Sequence, residues 1–183
     1  NLQTVSALLR LQARRIEDPS ASAAIEEAVR RVASIALVHE TLSTSAQDTV
    51  QFDEVIGKIM QSAVELSTRP NQIAIRKSGE FGLVPSIVAT PLALVITELV
   101  HNALEHGLSE SGSSVELRVE RNEDSMRVAV IDDGVGVPAG FTLEGNTNLG
   151  LQIVHTLTIN ELAGAIEFVK PEKGTEVWIN FRM

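Results

Sequence analysis

The sequence predicts an α+β fold in which a helical hairpin precedes an α/β sandwich, with a mixed sheet covered by helices on one face. Two observations support this prediction. Apolar residues recur at helical spacing over the first 42 residues, whereas helix and strand signals alternate from residue 50 onwards. A polar stretch at 43–49 separates the two patterns. We therefore predict a helical domain at residues 1–45 and a second domain at residues 50–183.

The predicted hairpin has a first helix at residues 2–16, a break at 17–20 and a second helix at 22–42. Two helices of this length bury little apolar surface by themselves. Their apolar seams therefore favour pairing with a second copy into a four-helix bundle, which predicts a homodimer. The alternative is that both helices pack on the rest of the same chain.

In the second domain, capping signals predict where two helices start. Asp53 is placed to cap a helix that ends near residue 66. Thr90 and Pro91 combine a cap with a proline at the first helical position, so they predict a helix that reaches residue 106. Further patterns predict a helix at 149–160, a strand at 72–77 and two antiparallel hairpins, formed by strands 115–121 with 126–132 and 165–169 with 176–181.

Composition excludes several classes of function. A formal net charge of −9 opposes binding to a nucleic-acid backbone, and 3% aromatic residues offer few surfaces for base stacking. The absence of cysteine excludes disulfides, zinc–thiolate sites and thiol catalysis, and it fits a cytoplasmic protein. The most apolar stretch, 82–100, is interrupted by Pro85, Pro91 and Glu98, which predicts a buried helix and no contact with a membrane.

A row of polar residues follows Pro91 at a spacing of four. Glu98, Asn102 and His106 therefore share one helix face, opposite an apolar face that can pack on the sheet. Carboxylate and amide oxygens are ligands suited to Mg²⁺ carried in by a nucleotide. The alternative is a solvated helix face.

A predicted strand ends on Asp132, and Gly134 and Gly136 follow it. Because Asp132 shares a strand face with Val128 and Val130, its carboxylate is predicted to point to the packed side, where a buried acid needs a partner. The amino group of a purine would be such a partner, and the glycines let the backbone approach a ligand. The alternative is an ordinary turn after a hairpin.

Two later segments complete the pattern. Asn148 leads through Gly150 into a helix, whose free amides attract phosphate, and the preceding residues 137–147 are predicted to form a lid. Gly174 and Thr175 open the last strand. Each signal is common alone, but the four in this order, on helix, strand end, helix start and strand start, are specific.

The combination resembles the GHKL superfamily of ATPases and kinases, which has the Bergerat ATP-binding fold. Residues 98–103 resemble its N box, 132–136 its G1 box, 149–151 its G2 box and 174–175 its last glycine-threonine element. The resemblance covers roughly the last three quarters of the chain. It implies a site for ATP and Mg²⁺.

The first residues select a branch of the superfamily. Residues 1–12 resemble the stretch after the His-Arg-x-Lys-Asn motif in the second class of histidine kinase dimerisation domains, in particular those of cytosolic PdtaS-type sensor kinases. This implies a protein-histidine kinase of a two-component system, with a response regulator as partner and with the acceptor histidine just before Asn1. This segment alone is then expected to bind ATP without phosphorylating itself.

Two expectations concern the helical hairpin. Although His39 precedes a glutamate, as in the commoner acceptor motif, we expect it to be structural, because it lies at the end of the second helix without the usual proline. Exposed positions of the first helix, including Gln3, Arg10 and Arg14, are expected to help dock the response regulator.

The resemblance also implies a role for each matching residue. Asp132 would accept a hydrogen bond from the adenine amino group, Thr175 would support the adenine through water, and Gly134 and Gly136 would let the ring lie against the strand. Asn102 would hold Mg²⁺, and Glu98 would orient the metal or its waters or act as a base. The backbone around Gly150 would meet the phosphates, and His106, Leu149 and Leu151 complete the implied ATP site.

Two positions depart from the pattern of the superfamily. Asn148 stands where the G2 box usually has its first glycine, and Glu105 stands where many relatives have a phosphate-binding lysine that His106 would replace in part. These departures support a non-catalytic nucleotide-binding module as an alternative. Another alternative is an anti-sigma-type serine kinase, which shares the ATP site, but the helical hairpin speaks against it.

Overall fold

A computed structural model of the protein describes residues 48–67, 72–108, 111–138, 141, 149–169 and 171–183, with isolated positions between 18 and 42. Every described position from 21 to 42 is helical, as predicted for the second helix, and His39 is exposed there. The predicted first helix, with Gln3, Arg10 and Arg14, lies outside the described residues, as do Asn148 and most of the predicted lid.

A mixed sheet forms the centre of the second domain. The strands among the described residues are β1 (Thr49–Gln51), β2 (Ala74–Ser78), β3 (Leu83–Pro85), β4 (Ser114–Arg121), β5 (Ser125–Asp132), β6 (Ala165–Val169) and β7 (Thr175–Arg182). The sheet has the order β2-β4-β5-β7-β6, with β2 parallel to β4 and all other neighbours antiparallel. Both predicted hairpins are confirmed, whereas the separate antiparallel pair of β1 and β3 was not predicted.

Helices cover one face of this sheet. They are α1 (Phe52–Leu66), α2 (Ser86–Asn102) and α3 (Leu149–Thr156), and a turn of π-helix continues α2 at Ala103–Gly107 and α3 at Leu157–Glu161. Alternate residues of β4, namely Val115, Leu117 and Val119, are buried on the covered face. Between them Glu116 and Arg118 bond to each other on the other face. The predicted fold class is confirmed.

The predicted start of α2 is wrong, because the helix begins at Ser86 and Pro91 lies inside it. Strand β3 leads directly into the helix, and the N–H of Ser86 donates to the carbonyl of Asp48 at 2.9 Å. The pairing of β1 with β3 therefore sets the start. Pro91 cannot donate to the carbonyl of Ile87, but Ile87 is 85% exposed, at a place where water can reach the backbone.

The predicted helix cap at Asp53 is also wrong. Helix α1 begins at Phe52, without a side-chain cap, and the Asp53 carboxylate is directed to the loop between β2 and β3. There it accepts hydrogen bonds from the N–H groups of Phe81 at 3.2 Å and Gly82 at 2.8 Å, and it contacts Lys77 Nζ at 2.6 Å. Asp53 thus ties α1 to a distant loop.

Helix α2 explains the most apolar stretch of the sequence. Within the described part of the chain, Ser86–Gly107 is the one helix whose length and hydropathy, 1.6 in its most apolar window, would suffice to cross a membrane. Of the most apolar 18 residues of this helix, 56% are buried inside the structure, because α2 packs against the sheet, α1 and α3. The central helix of a folded domain has the same character.

Candidate active site

A cavity of about 400 Å³ lies between the end of α2 and strands β5 and β7. It brings together six residues predicted for the site, namely Asn102, His106, Asp132, Gly136, Leu151 and Thr175. The other lining residues are Leu99, Ala103, Gly107, Val130, Val135, Val137, Pro138, Phe141, Phe168 and Val177. Apolar walls with a few polar groups are typical of a site for a small organic molecule.

The other predicted site residues, Glu98, Gly134, Leu149 and Gly150, do not line the cavity. Glu98 is 7% exposed and lies one helical turn before Asn102. Gly150 is buried in α3, whereas Leu149 is 52% exposed at its start. The roles predicted for these four residues, and for the six that line the cavity, stay predictions.

Asp132 is the most deeply placed polar group of the cavity, with an exposure of 6%. Its Oδ1 accepts a hydrogen bond from the N–H of Gly134 at 2.9 Å. Thr175, its register partner on β7, donates from its hydroxyl and its backbone N–H. Burial nevertheless raises the pKa of Asp132 above its ordinary value, and the neighbouring charge of Asp133 adds to this. A further donor in the cavity would stabilise the ionised carboxylate.

The adjacent Asp133 has the opposite environment. Its Oδ1 accepts hydrogen bonds from the N–H groups of Ser113 at 2.7 Å and Ser114 at 2.8 Å. Burial alone would raise the pKa of Asp133, but the bonds from Ser114 and Ser113 and the charge of Lys173 together lower it. Asp133 therefore holds the loop before β4, which leaves Asp132 as the carboxylate of the cavity.

Glycines let the backbone close tightly around Asp132. Gly136 and Gly174 both have positive φ, at 76° and 80°. A Cβ at Gly174 would lie 1.8 Å from the carbonyl oxygen of Asp132, and a Cβ at Gly136 would lie 2.9 Å from the carbonyl oxygen of Gly174. Neither the conformation nor the space accepts a side chain.

Asn102 supplies a test of whether a metal-bound nucleotide fits this cavity. Its Nδ2 is buried and has no hydrogen-bond partner among the described residues. A phosphate oxygen would accept from this nitrogen, and the oxygen of the same amide is a suitable ligand for Mg²⁺. The described lining contains no lysine or arginine, so a metal ion would be needed to neutralise phosphate charge. These residues fit ATP with Mg²⁺.

Glu105, which departs from the superfamily pattern, does not line the cavity. Its Oε1 lies 3.2 Å from Nε2 of His101, one turn earlier on the same helix. The exposed side chain of His106, the next residue, does line the cavity. The carboxylate of Glu105 is therefore directed to His101, outside the cavity.

Among the lining residues that sequence reasoning did not single out, three are informative. Phe141 and Phe168 pack together at a ring-centroid distance of 5.0 Å and form an aromatic wall. Phe141 belongs to the stretch 137–147 predicted as a lid, but no pattern marked this residue within the stretch. Gly107 directly follows the polar row of α2, and its position at the end of the predicted helix was the available signal.

The fold and the cavity define an ATPase domain of a known class. Residues 87–183 match the family of histidine kinase-, DNA gyrase B-, and HSP90-like ATPases, and residues 1–67 match a family described as histidine kinase. The chain is 47% identical over 180 residues to the sensor histidine kinase PdtaS of Mycobacterium tuberculosis and 45% identical over 181 residues to that of Mycolicibacterium smegmatis. The chain therefore belongs to the family of histidine kinase-, DNA gyrase B-, and HSP90-like ATPases, and its relatives are sensor histidine kinases, as the resemblance predicted.

Each of these two alignments covers 97% of this chain, which spans 36% of the length of either relative. Among solved structures, the histidine kinase domain of the Erythrobacter litoralis EL346 blue-light activated kinase has a TM-score of 0.74 at 24% identity, over 98% of this chain and 95% of that one. Acinetobacter baumannii histidine kinase AdeS has a TM-score of 0.63 at 16% identity, over 100% and 95%. Both likenesses concern the fold alone.

Proposed function

We propose that this chain is the catalytic core of a sensor histidine kinase, which binds ATP with Mg²⁺ and passes the γ-phosphoryl group to a histidine. The observation that supports this most directly is that Asp132 and Asn102 line one cavity, although they lie on different elements. One offers a buried acceptor for a purine, and the other offers an amide for the metal-bound phosphates.

The adenine would bind at the β5 and β7 side of the cavity. Its amino group would donate to Asp132, whose burial makes an added donor favourable. Val130, Val177 and Phe168 offer apolar surface to the ring. Thr175, bonded to Asp132, would support the adenine through water.

The phosphates would bind at the α2 and α3 side. Asn102 would hold Mg²⁺, with Glu98 orienting the ion or its waters or acting as a base. The bound metal would neutralise charge on the phosphates, which phosphoryl transfer requires. The backbone around Gly150 at the start of α3 and the side chain of His106 would complete the contacts.

The acceptor histidine would precede Asn1 in the full-length protein, and residues 1–45 would pair with a second copy to form the dimer. The aspartate of a response regulator would then receive the phosphoryl group, with Gln3, Arg10 and Arg14 helping to dock it. The match of residues 1–67 to a histidine kinase family supports this assignment. We place these reactions in the cytoplasm, where ATP is available.

Titration calorimetry of the 183-residue chain with ATP and Mg²⁺ tests the binding step. We expect binding that weakens when EDTA removes the metal, and an absence of binding would overturn the proposal. In the full-length protein, ATP should leave a phosphoryl group that is stable in base and labile in acid, as phosphohistidine is. The variant His39→Gln should keep this label. A label on serine would instead favour the anti-sigma-type kinase.

A further inference from the structure

Gly107, the last residue of the π-turn that continues α2, has no conformational reason to be glycine. It is absent from the residues with positive φ, so its backbone is accessible to alanine. What requires glycine is space. A Cβ at Gly107 would lie 2.7 Å from Cγ of Asp132 and 2.8 Å from each of its carboxylate oxygens. The end of α2 therefore lies directly against the carboxylate.

Gly107 cannot easily move away from this position. Its carbonyl accepts a hydrogen bond from the N–H of Val135 at 2.9 Å, in the turn that follows β5. A Cβ at Gly134 would lie 1.8 Å from that same carbonyl oxygen, so the two backbones are in contact. The end of the helix is thus fixed to the turn that directly follows Asp132.

The Asp132 carboxylate is equally confined. Gly134 donates to its Oδ1 from within the turn, and Thr175 donates from β7. An added methyl group at position 107 would have to displace the carboxylate from these donors, because the backbone around it is already in contact.

We propose that Gly107 is a positioning residue that sets the direction of the Asp132 carboxylate, and thereby the preference for a purine with an amino group at its sixth position. This inference rests on the proposed function, since it assumes that Asp132 receives the purine. Gly107 acts through Asp132 and through the space that its missing side chain leaves.

The variant Gly107→Ala tests this in the 183-residue chain, with ATP and inosine triphosphate as probes in the presence of Mg²⁺. Inosine triphosphate carries a carbonyl oxygen where adenine carries its amino group. We expect ATP affinity to fall on the order of tenfold, as when one hydrogen bond to a charged group is lost. Affinity for inosine triphosphate should change less, so the ratio of the two should shrink.

Gly57→Ala is the matched control, because a Cβ at Gly57 in helix α1 has nothing within 4 Å. This substitution should leave the ratio of the two affinities unchanged. An unchanged ratio in Gly107→Ala as well would overturn the inference.

A double-mutant cycle with Asp132→Ala separates positioning from general damage to the fold. Gly107→Ala should lower the melting temperature of the wild-type chain but have little effect when Asp132→Ala has already removed the carboxylate. Equal losses in both backgrounds would overturn the inference. If the wild-type chain binds neither nucleotide, the proposed function and the purine preference both fail. The melting cycle, which needs no nucleotide, still decides whether Gly107 confines the carboxylate.

Discussion

Two corners of the domain hold a carboxylate against backbone N–H groups, and they differ in how deeply they bury it. At the corner of α1 and the β2–β3 loop, Asp53 accepts from Phe81 and Gly82 and contacts Lys77. Burial alone would raise the pKa of Asp53, but these bonds and the charge of Lys77 lower it. At the corner of β5 and β7, burial outweighs the hydrogen bonds and raises the pKa of Asp132.

The difference fits a structural corner at Asp53 and the proposed binding corner at Asp132. The Asp53 corner closes on itself, and Phe52 and Phe81 pack edge to face beside it at a centroid distance of 4.9 Å. The Asp132 corner instead opens into a cavity. Its ionised carboxylate destabilises the folded state until a ligand donates a hydrogen bond to it. Residues held in such environments are typical of functional sites, because ligand binding offsets the stability that the unliganded fold loses.

The largest effect is expected from Asp132→Asn. ATP affinity should fall on the order of 10²-fold, because a hydrogen bond to a charged group contributes about 2–3 kcal/mol. The melting temperature without nucleotide should stay level or rise, since a buried charge is removed. Calorimetry and thermal unfolding measure the two quantities. A marked loss of stability with unchanged affinity would reverse the roles of the two corners.

Asp53→Ala should do the opposite. The N–H groups of Phe81 and Gly82 lose their acceptor, so the free energy of unfolding should fall by about 1–3 kcal/mol. ATP affinity of the folded protein should not change. Urea unfolding and calorimetry provide the measurements, and Glu54→Ala, an exposed acid on the same helical turn, is the control. Equal destabilisation by both variants would contradict the assignment.

The two corners should also differ in the sign of their pH dependence. Asp53 has a folded pKa below its ordinary 3.8, so its stabilisation is present above pH 3.8 and is lost as pH falls through the folded value. Asp132 has a folded pKa above 3.8, so the stability that comes with its protonated form is fully present below pH 3.8. That stability is lost as pH rises through the folded value.

Urea unfolding from neutral pH downwards, on wild type, Asp53→Asn and Asp132→Asn, tests these signs. The advantage of wild type over Asp53→Asn should shrink in acid. The advantage of Asp132→Asn over wild type should appear only as pH rises. Parallel curves for the two variants would show that the corners do not differ in this way.

The smallest effect is expected from Lys77→Gln. Its ammonium lies 2.6 Å from Asp53, but the two side chains are 28% and 30% exposed, so solvent screens the pair. The loss should be about 0.5 kcal/mol, and it should nearly vanish at about 1 M salt. Urea unfolding at low and high salt measures this. A loss as large as that of Asp53→Ala would show that the ion pair, and not the backbone acceptor, holds the corner.

Local patterns predicted the elements that local contacts build. The alternation in residues 115–132 and 165–181 was enough for both hairpins, and the position of Asp132 at a strand end followed from it. The partners of Asp53 and the start of α2 could not be predicted in this way. Gly82 lies 29 residues from Asp53, and no signal of turn or cap encodes such a contact.

The cavity shows the same limit. The polar row of α2 and the Asp132 turn were visible as separate motifs, but their contact depends on the packing of the helix end against the sheet. Gly107 is the clearest case, because its reason for lacking a side chain is an atom on another element. The parallel pairing of β2 with β4 was also beyond local patterns, since α2 intervenes between the two strands.

The position of β7 has a consequence for how the protein is made. This strand comes last among the described elements, yet it inserts between β5 and β6, and the one pairing of β6 is with β7. A growing polypeptide therefore leaves β5 with an open edge until β7 has been synthesised, and such edges attract other chains. Thr175 arrives with the same strand, so the wall of the cavity is also incomplete until β7 has been synthesised.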